Sequence, residues 1–378
     1  MLFTDLFDEC MNPLWDKIES VPEFSVLRDT RQSLVWHKEG NVLEHTKRVV
    51  NEMKKYLDSK KIHHKSTYYL VMMCAALCHD LGKATTTYWN EEKQDWSCKH
   101  HGLVGERITR KLFYDDVLIY RELVCYMVRW HMELHMILDN EEKINDKMKF
   151  MSNGMVSIKN MLILNACDSL GSVNDIETRE FLQNRLDRIK AIASELGIYD
   201  KVYSNYREID NNAFTIYMML GLPGSGKNYY IEHNAILSKL PSLSRDDIRT
   251  EIGLKGEKPQ GNKEQENKVT EIFNNRMMEY CKNKQSFVIN NTNLRKCYRD
   301  EMLKSVKEYN PQIVYIYVEP KSIETNYKRR KGLMPLNVID RMLSNMDFPH
   351  LSECDMLLID DGILNVDAIP SFLNGFMR

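Results

Sequence analysis

Six side chains in the first half of the chain have the types and order of a metal site: His45, the adjacent pair His79-Asp80, His101, His131 and Asp168. They sit in HKEGNVLEHTKRV from His37, CHDLGKATT from Cys78, KHHGLVGE from Lys99, VRWHMELH from Val128 and NACDSLG from Asn165. Imidazoles and carboxylates at this density suit divalent transition metals such as Mn²⁺, Co²⁺, Ni²⁺, Cu²⁺ or Zn²⁺. A carboxylate such as Asp80 is able to bridge two ions, whose water then attacks phosphorus. Lys83, one helical turn beyond His79, could neutralise the phosphate. A lone histidine on an apolar helix is more often an ordinary core or surface residue, which is how His63 and His135 read. His100 competes with His101, since adjacent helical positions point different ways. His37 is open between a substrate contact and a surface residue at a helix start.

A second constellation lies in the other half. GLPGSGKN, Gly221 to Asn228, fits the phosphate-cradling pattern GxxxxGK[ST] except at its last position. Its glycines let backbone N–H groups point at a phosphate, and Lys227 would reach the β- and γ-phosphates of ATP. Gly221, Pro223, Gly224, Ser225, Gly226, Lys227 and Asn228 are therefore candidate nucleotide contacts. Asn228 stands where a hydroxyl usually helps hold Mg²⁺. Farther on, SRDDIR runs from Ser244 to Arg249. Asp246 and Arg249 share a helix face there. The acid is suited to take a proton from an acceptor hydroxyl, and the arginine to grip an acceptor phosphate; the alternative is a surface ion pair. NNTNL, Asn290 to Leu294, closes a strand at the edge where ligands bind in parallel sheets. NYKRRKGLMPLNVIDRM, Asn326 to Met342, has the basic residues, glycine and proline of a lid over phosphates.

Two kinds of scaffold must hold these groups. Up to about Leu196 the pattern is helical. Tyr68 to Leu77 is a nearly unbroken apolar run, Leu112 to Val128 and Met161 to Ala166 look similar, and Tyr88 to Trp96 reads as a short hairpin around a polar turn. After a polar stretch from Gly197 to Asn212, short apolar runs at Phe214–Leu220, Leu240–Leu243, Ser286–Asn290, Ile313–Val318 and Met356–Ile359 alternate with helical segments, the pattern of a parallel α/β sheet. The expected organisation is an all-α domain over 1–205 and an α/β domain over 206–378. The 378 residues allow two domains, and 43% apolar with 28% charged residues is an ordinary globular balance. A net charge of −2 argues against a strong global attraction to nucleic acid, leaving room for a local basic groove. The start MLFTDLFDECMNPLW lacks the features of a signal peptide, no stretch has the length of a membrane span, and nine scattered cysteines without a CxxC pair read as reduced thiols. A cytoplasmic protein with no membrane partner is expected.

The first half resembles the HD phosphohydrolase superfamily through WHKEGNVLEHT, ALCHDLGKATT and HHGLVGE, and is most similar to the HD domain of bacterial tRNA nucleotidyltransferases. That resemblance implies the ligand set His45, His79, Asp80, His101, His131 and Asp168, and activity on 2′,3′-cyclic and 2′-phosphates. The second half resembles the polynucleotide 5′-hydroxyl kinases through GLPGSGK, SRDDIR, NNTNL and KRRKGLMP, over about Phe214 to Gly362. That resemblance implies ATP and Mg²⁺, Asp246 as general base for a 5′-OH, Arg249 on the neighbouring acceptor phosphate, and Arg329, or Arg330, on the ATP phosphates. The family often has Asp where this chain has Asn291. Together the halves resemble bifunctional end-healing enzymes acting on RNA or DNA ends, with a nucleic acid ligase as a functional partner. The alternatives are a small-molecule nucleotidase fused to a nucleoside or metabolite kinase, and an ATP-gated sensor that only binds nucleotide.

Overall fold

The structure is a computed structural model describing residues 1–202, 210, 212–254, 262–320, 322–331 and 333–360. The chain divides into two compact units, and the expected boundary at 205/206 lies outside the described residues.

The N-terminal unit is helical because its apolar residues recur at helical spacing and its helix starts are capped. Asn41, Ser66 and Ser157 each accept a backbone N–H with the side chain, opening the helices Val42–Ser59, Thr67–Cys78 and Ile158–Gly171. The Thr67–Cys78 helix is apolar on every face and buried from Val71 to Cys78, so it forms the centre of the unit. Val42–Ser59 and Ile158–Gly171 pack together, with Gly171 against the backbone of Val49. His101–Leu112 and Leu118–Trp130 form a second packed pair. The apolar run expected from Leu112 to Val128 is broken at Phe113–Val117. There Asp116 accepts the N–H groups of Phe3 and Val117 at 2.6 Å and ends the regular ladder. The hairpin is present, β1 (Thr87–Asn90) pairing antiparallel with β2 (Asp95–Cys98).

The other unit carries a parallel five-stranded sheet of β3 (Thr215–Leu220), β4 (Ser242–Leu243), β5 (Phe287–Ile289), β6 (Gln312–Val318) and β7 (Met356–Asp360). Their order is β4-β5-β3-β6-β7, so the strand that feeds the glycine-rich loop is central. All six residues of β3 are buried, as a strand covered on both faces requires. Tyr217, Met219, Val288, Val314 and Ile316 pack into one core. Every chemistry-bearing motif of this half leaves a strand at its C-terminal end, the side on which open parallel sheets bind ligands.

Gly82 is where the N-terminal unit has no slack. A Cβ there would lie 2.0 Å from the carbonyl oxygen of His101 and 2.6 Å from the N of Gly105. Backbone cannot yield as a flexible side chain can. Gly82→Ala is expected to cost about 1–3 kcal/mol of stability, seen as a lowered thermal midpoint, with Gly40→Ala, which meets open space but carries a φ of +107°, as the strain-only comparison.

Candidate active sites

In the N-terminal unit the structure brings all six expected residues together in two groups of three. His45, His79 and Asp168 form one; Asp80, His101 and His131 form the other. Asp80 faces both. Its Oδ2 lies 3.3 Å from His79 Nε2 and 3.7 Å from His45 Nε2, and its Oδ1 lies 3.5 Å from His101 Nε2 and 3.9 Å from His131 Nε2. One carboxylate therefore offers an oxygen to each group. His45 Nε2 is 2.8 Å from Asp168 Oδ1, which closes the first triad.

Local backbone geometry aims the rings. His79, His101 and His131 each place Nδ1 2.8–2.9 Å from the carbonyl three residues earlier, Ala76, Cys98 and Val128. Nδ1 must donate there, so the Nε2 lone pair is left pointing inward. His101 Nε2 and His131 Nε2 then stand 3.0 Å apart, both as acceptors. Two lone pairs at that distance repel unless a cation lies between them. Asp80 Oδ2, fully buried, has no aligned hydrogen bond. Both observations fit a divalent metal centre. His100 is excluded from it: it is exposed and sits at φ +61°, whereas His101 points inward.

Burial and pairing set the proton affinities. Burial, then the neighbouring His101, pushes His131 down to about 3, so it is neutral at physiological pH. His101 is also lowered, chiefly by burial. Burial opposes ionisation of Asp80, but Lys83 and His79 overcome it and hold the carboxyl well below its usual range. Asp168 is likewise held far down by His45 against the effect of burial. Burial would lower His45, yet its contacts with Asp168 and Glu39 raise it to about 9. Lys83 is buried with Nζ 2.7 Å from Asp80 Oδ2, so its ammonium is committed to the ligand set rather than displayed at the surface.

Glu39 is the residue that sequence reasoning missed. Its Oε1 lies 2.9 Å from His45 Nδ1 and 3.0 Å from His37 Nδ1, and its Oε2 accepts the N–H of Val173 at 2.8 Å. The His45 contact is ionic rather than an aligned hydrogen bond. Its signal was its place between His37 and His45. His37 sits behind His45, ring centroids 4.6 Å apart, and burial pushes it down to about 4. It is thus neither purely a surface residue nor a member of the two triads.

In the sheet unit the glycine-rich loop wraps as expected, with Gly221, Gly224 and Gly226 at positive φ. A Cβ on Gly221 would meet Val318 O at 2.4 Å, so only glycine lets the loop leave β3 here. Ser225 Oγ is buried without a hydrogen-bond partner. Lys227 donates to the carbonyls of Gly221 and Leu222 at 2.9 and 3.0 Å, and burial, then the charge of Arg330, pulls its ammonium down to about 7. Asn228 Oδ1 accepts from Asn290 Nδ2 at 3.1 Å, so the amide joins the loop to the end of β5. Asn291 Oδ1 accepts the N–H of Arg245 at 3.1 Å and Asn293 Nδ2 donates to Met219 O at 2.8 Å. NNTNL is thereby a clasp between the glycine-rich loop and the SRDDIR helix.

The expected lid helix, Ile323–Arg330, docks on the loop: Asn326 Nδ2 donates to Pro223 O and Arg329 Nη1 to Gly224 O, both at 3.0 Å. Pro223, Gly224, Lys227, Asp246, Arg329 and Arg330 all line one cleft of about 1890 Å³. Gly332, the hinge-like glycine of the lid, lies outside the described residues. One expectation changes. Arg249 is not an open clamp: Nε and Nη2 donate to Glu266 at 2.8 and 3.0 Å, and Nη1 to Asp246 at 2.5 Å.

Residues 42–171 match the HD domain family, and residues 216–349 match the AAA domain family. A solved structure of a presumed kinase from Chloroflexus aurantiacus shares 18% identity, covering 43% of this chain and 94% of that chain, with a TM-score of 0.33. No curated protein matches the chain. The protein thus joins an HD phosphohydrolase-type domain to a P-loop kinase-like domain. Among the described residues no helix is long and apolar enough to cross a membrane, and all nine cysteines are free.

If Asp80 bridges, Asp80→Asn weakens uptake of every ion the domain binds by about tenfold or more, while His131→Ala weakens one class only. Metal titration of stripped protein, followed by calorimetry and elemental analysis, distinguishes the two patterns.

Proposed function

We propose that the protein heals nucleic acid ends: the HD domain removes 2′,3′-cyclic, 2′- or 3′-phosphates, and the P-loop domain moves the ATP γ-phosphate to a 5′-OH. The observation that carries this reading is one chain holding two triads of candidate metal ligands and, at its glycine-rich loop, a cleft of about 1890 Å³. Small-molecule pockets run to roughly 300–1,000 Å³, so the cleft has space for ATP and a polymeric acceptor end.

In the HD domain, His45, His79 and Asp168 would hold one divalent ion, His101 and His131 a second, and Asp80 both. Such ions supply a nucleophilic water at neutral pH and polarise the phosphoryl oxygens. The chain's own residues do the rest. The three i−3 carbonyl contacts keep the imidazoles in one tautomer, Glu39 holds His45 from behind, and Lys83 offsets the negative charge of Asp80. In the kinase domain, Gly221 to Asn228 would surround the ATP phosphates and Lys227 would neutralise them, and Mg²⁺ brought with ATP would offset further phosphate charge. Asp246, half exposed at the cleft, would accept the 5′-hydroxyl proton. Arg329 and Arg330 stand on the lid side.

The second reading is a nucleotidase joined to a nucleoside or metabolite kinase. One observation favours it: with Arg249 engaged by two carboxylates, the acceptor need not carry a phosphate. Incubation with ATP and either 5′-OH oligonucleotides or free nucleosides decides between them; phosphorylation of nucleosides alone overturns the end-healing reading.

Two outcomes are expected. Lys227→Ala and Asp246→Ala abolish 5′ phosphorylation and spare phosphate release, while His79→Ala and Asp80→Ala do the reverse; assaying both ends of one doubly labelled RNA checks this. With Lys227 near pH 7 before nucleotide binds, phosphate oxygens raise it again, so ATP binding at pH 8 takes up a proton. Uptake falls towards zero below pH 6, where the lysine is already charged. Calorimetry in buffers of different ionisation enthalpy measures it, with Lys227→Met as the control that loses it.

A further inference from the structure

We propose that Glu266 is a positioning residue of the kinase site, acting through Arg249 to hold the Asp246 carboxylate in one orientation at the cleft. This rests on the kinase half of the proposed function, and it assigns Arg249 a different partner from an acceptor phosphate.

The geometry is a fork between two acids. Arg249 is 10% exposed at its side chain, and its planar guanidinium has two usable edges. The Nε–Nη2 edge makes a two-point contact with both oxygens of Glu266, at 2.8 and 3.0 Å. Nη1 donates to Asp246 Oδ1 at 2.5 Å. A two-point contact fixes the guanidinium plane. Glu266 therefore sets the direction of Nη1, and Nη1 sets the direction of Asp246. The hydrogen bonds raise the proton affinity of Arg249 and lower that of Glu266, as a charged pair requires.

The frame behind this relay is rigid. Asp246 and Arg249 lie on the Arg245–Glu251 helix, capped by Ser244 and tied to the NNTNL clasp through Asn291. Glu266 lies on the long Lys263–Lys282 helix, opened by the Asn262 cap. Arg245 joins the same two helices, donating to Thr270 at 2.8 Å and lying over the Phe273 ring at 5.1 Å. Glu266 also offsets the charge of Arg245. Glu266 thus faces both arginines, and Arg249 reaches the cleft acid. Without Glu266 the guanidinium plane loses this anchor, and the Asp246 carboxylate loses its fixed direction at the cleft.

The experiment is a double-mutant cycle on the full chain with Glu266→Gln, Arg249→Ala and the two combined. Wild type is first offered ATP with 5′-OH oligonucleotides, nucleosides and no acceptor, and the best phosphoryl acceptor, water included, is used for every variant. Failure with oligonucleotides alone thus overturns end healing while leaving the relay open to test. The expected result is that Glu266→Gln lowers kcat about tenfold or more with KM for ATP unchanged. The double variant is then no worse than Arg249→Ala, because Glu266 has nothing left to hold. Glu266→Asp, which keeps the acid, recovers part of the loss. Independent, multiplying losses in the double variant overturn the relay. So does a Glu266→Gln defect confined to KM for the acceptor, which would mean that Arg249 serves the substrate directly.

Discussion

A charge removed from water has to be met by an opposite charge, and both units of this protein are arranged around that cost. The penalty is several kcal/mol for each ion, even after the protein relaxes. In the N-terminal unit Asp80 is buried, and Lys83 with the surrounding imidazoles is what keeps it ionised. The same unit buries Arg110 and Arg121 completely, and Glu122 binds both, with Glu106 completing the set for Arg110. This second network lies on the two helices that carry His101 and His131 at their ends. Breaking it leaves a buried charge without a partner, so the helices are held in one arrangement, and with them the two rings.

The sheet unit obeys the same constraint with different materials. Lys227 is met by two carbonyl dipoles rather than by an acid, and burial has lowered its hold on the proton. A group in that condition gains most when phosphate oxygens arrive. Arg299, also fully buried, is met by Glu353 and by the carbonyls of Asn293 and Asp347, which pins the far end of the NNTNL clasp. The site is therefore braced from both sides: by backbone groups at the glycine-rich loop and by acids at the helices.

The cluster of candidate metal ligands was legible in the sequence because such chemistry is tied to residue type: the order H…HD…H…H…D admits few other uses, and the six side chains do come together. The strands were legible because five short apolar runs could not form surface helices. What escaped was anything set by pairing at a distance. Glu39 is an unremarkable acid until folding places it behind His45 and His37. Glu266 lies seventeen residues beyond Arg249, on a different helix. At the break, Phe113–Val117, one of the two N–H groups that Asp116 accepts, that of Phe3, is remote in sequence. Spacing along a helix reports neighbours within one turn, and these partners are not within one turn.

The departures from the kinase pattern show the same logic at the level of single residues. Asn228 replaces a hydroxyl, and its amide oxygen is used by Asn290 to join the loop to β5. Asn291 stands where the resembled kinases often have an acid, and its amide oxygen is used to receive the N–H that opens the SRDDIR helix. Neutral amides at both positions keep the clasp uncharged. Arg245 and Arg249 are therefore met by acids outside the clasp: Asp246 beside Arg249, Glu301 near Arg245, and Glu266 from another helix, at hydrogen-bond distance from Arg249 and near Arg245. The substitution in the motif and the acid outside it are two halves of one charge balance. A reading confined to the motif sees only the loss.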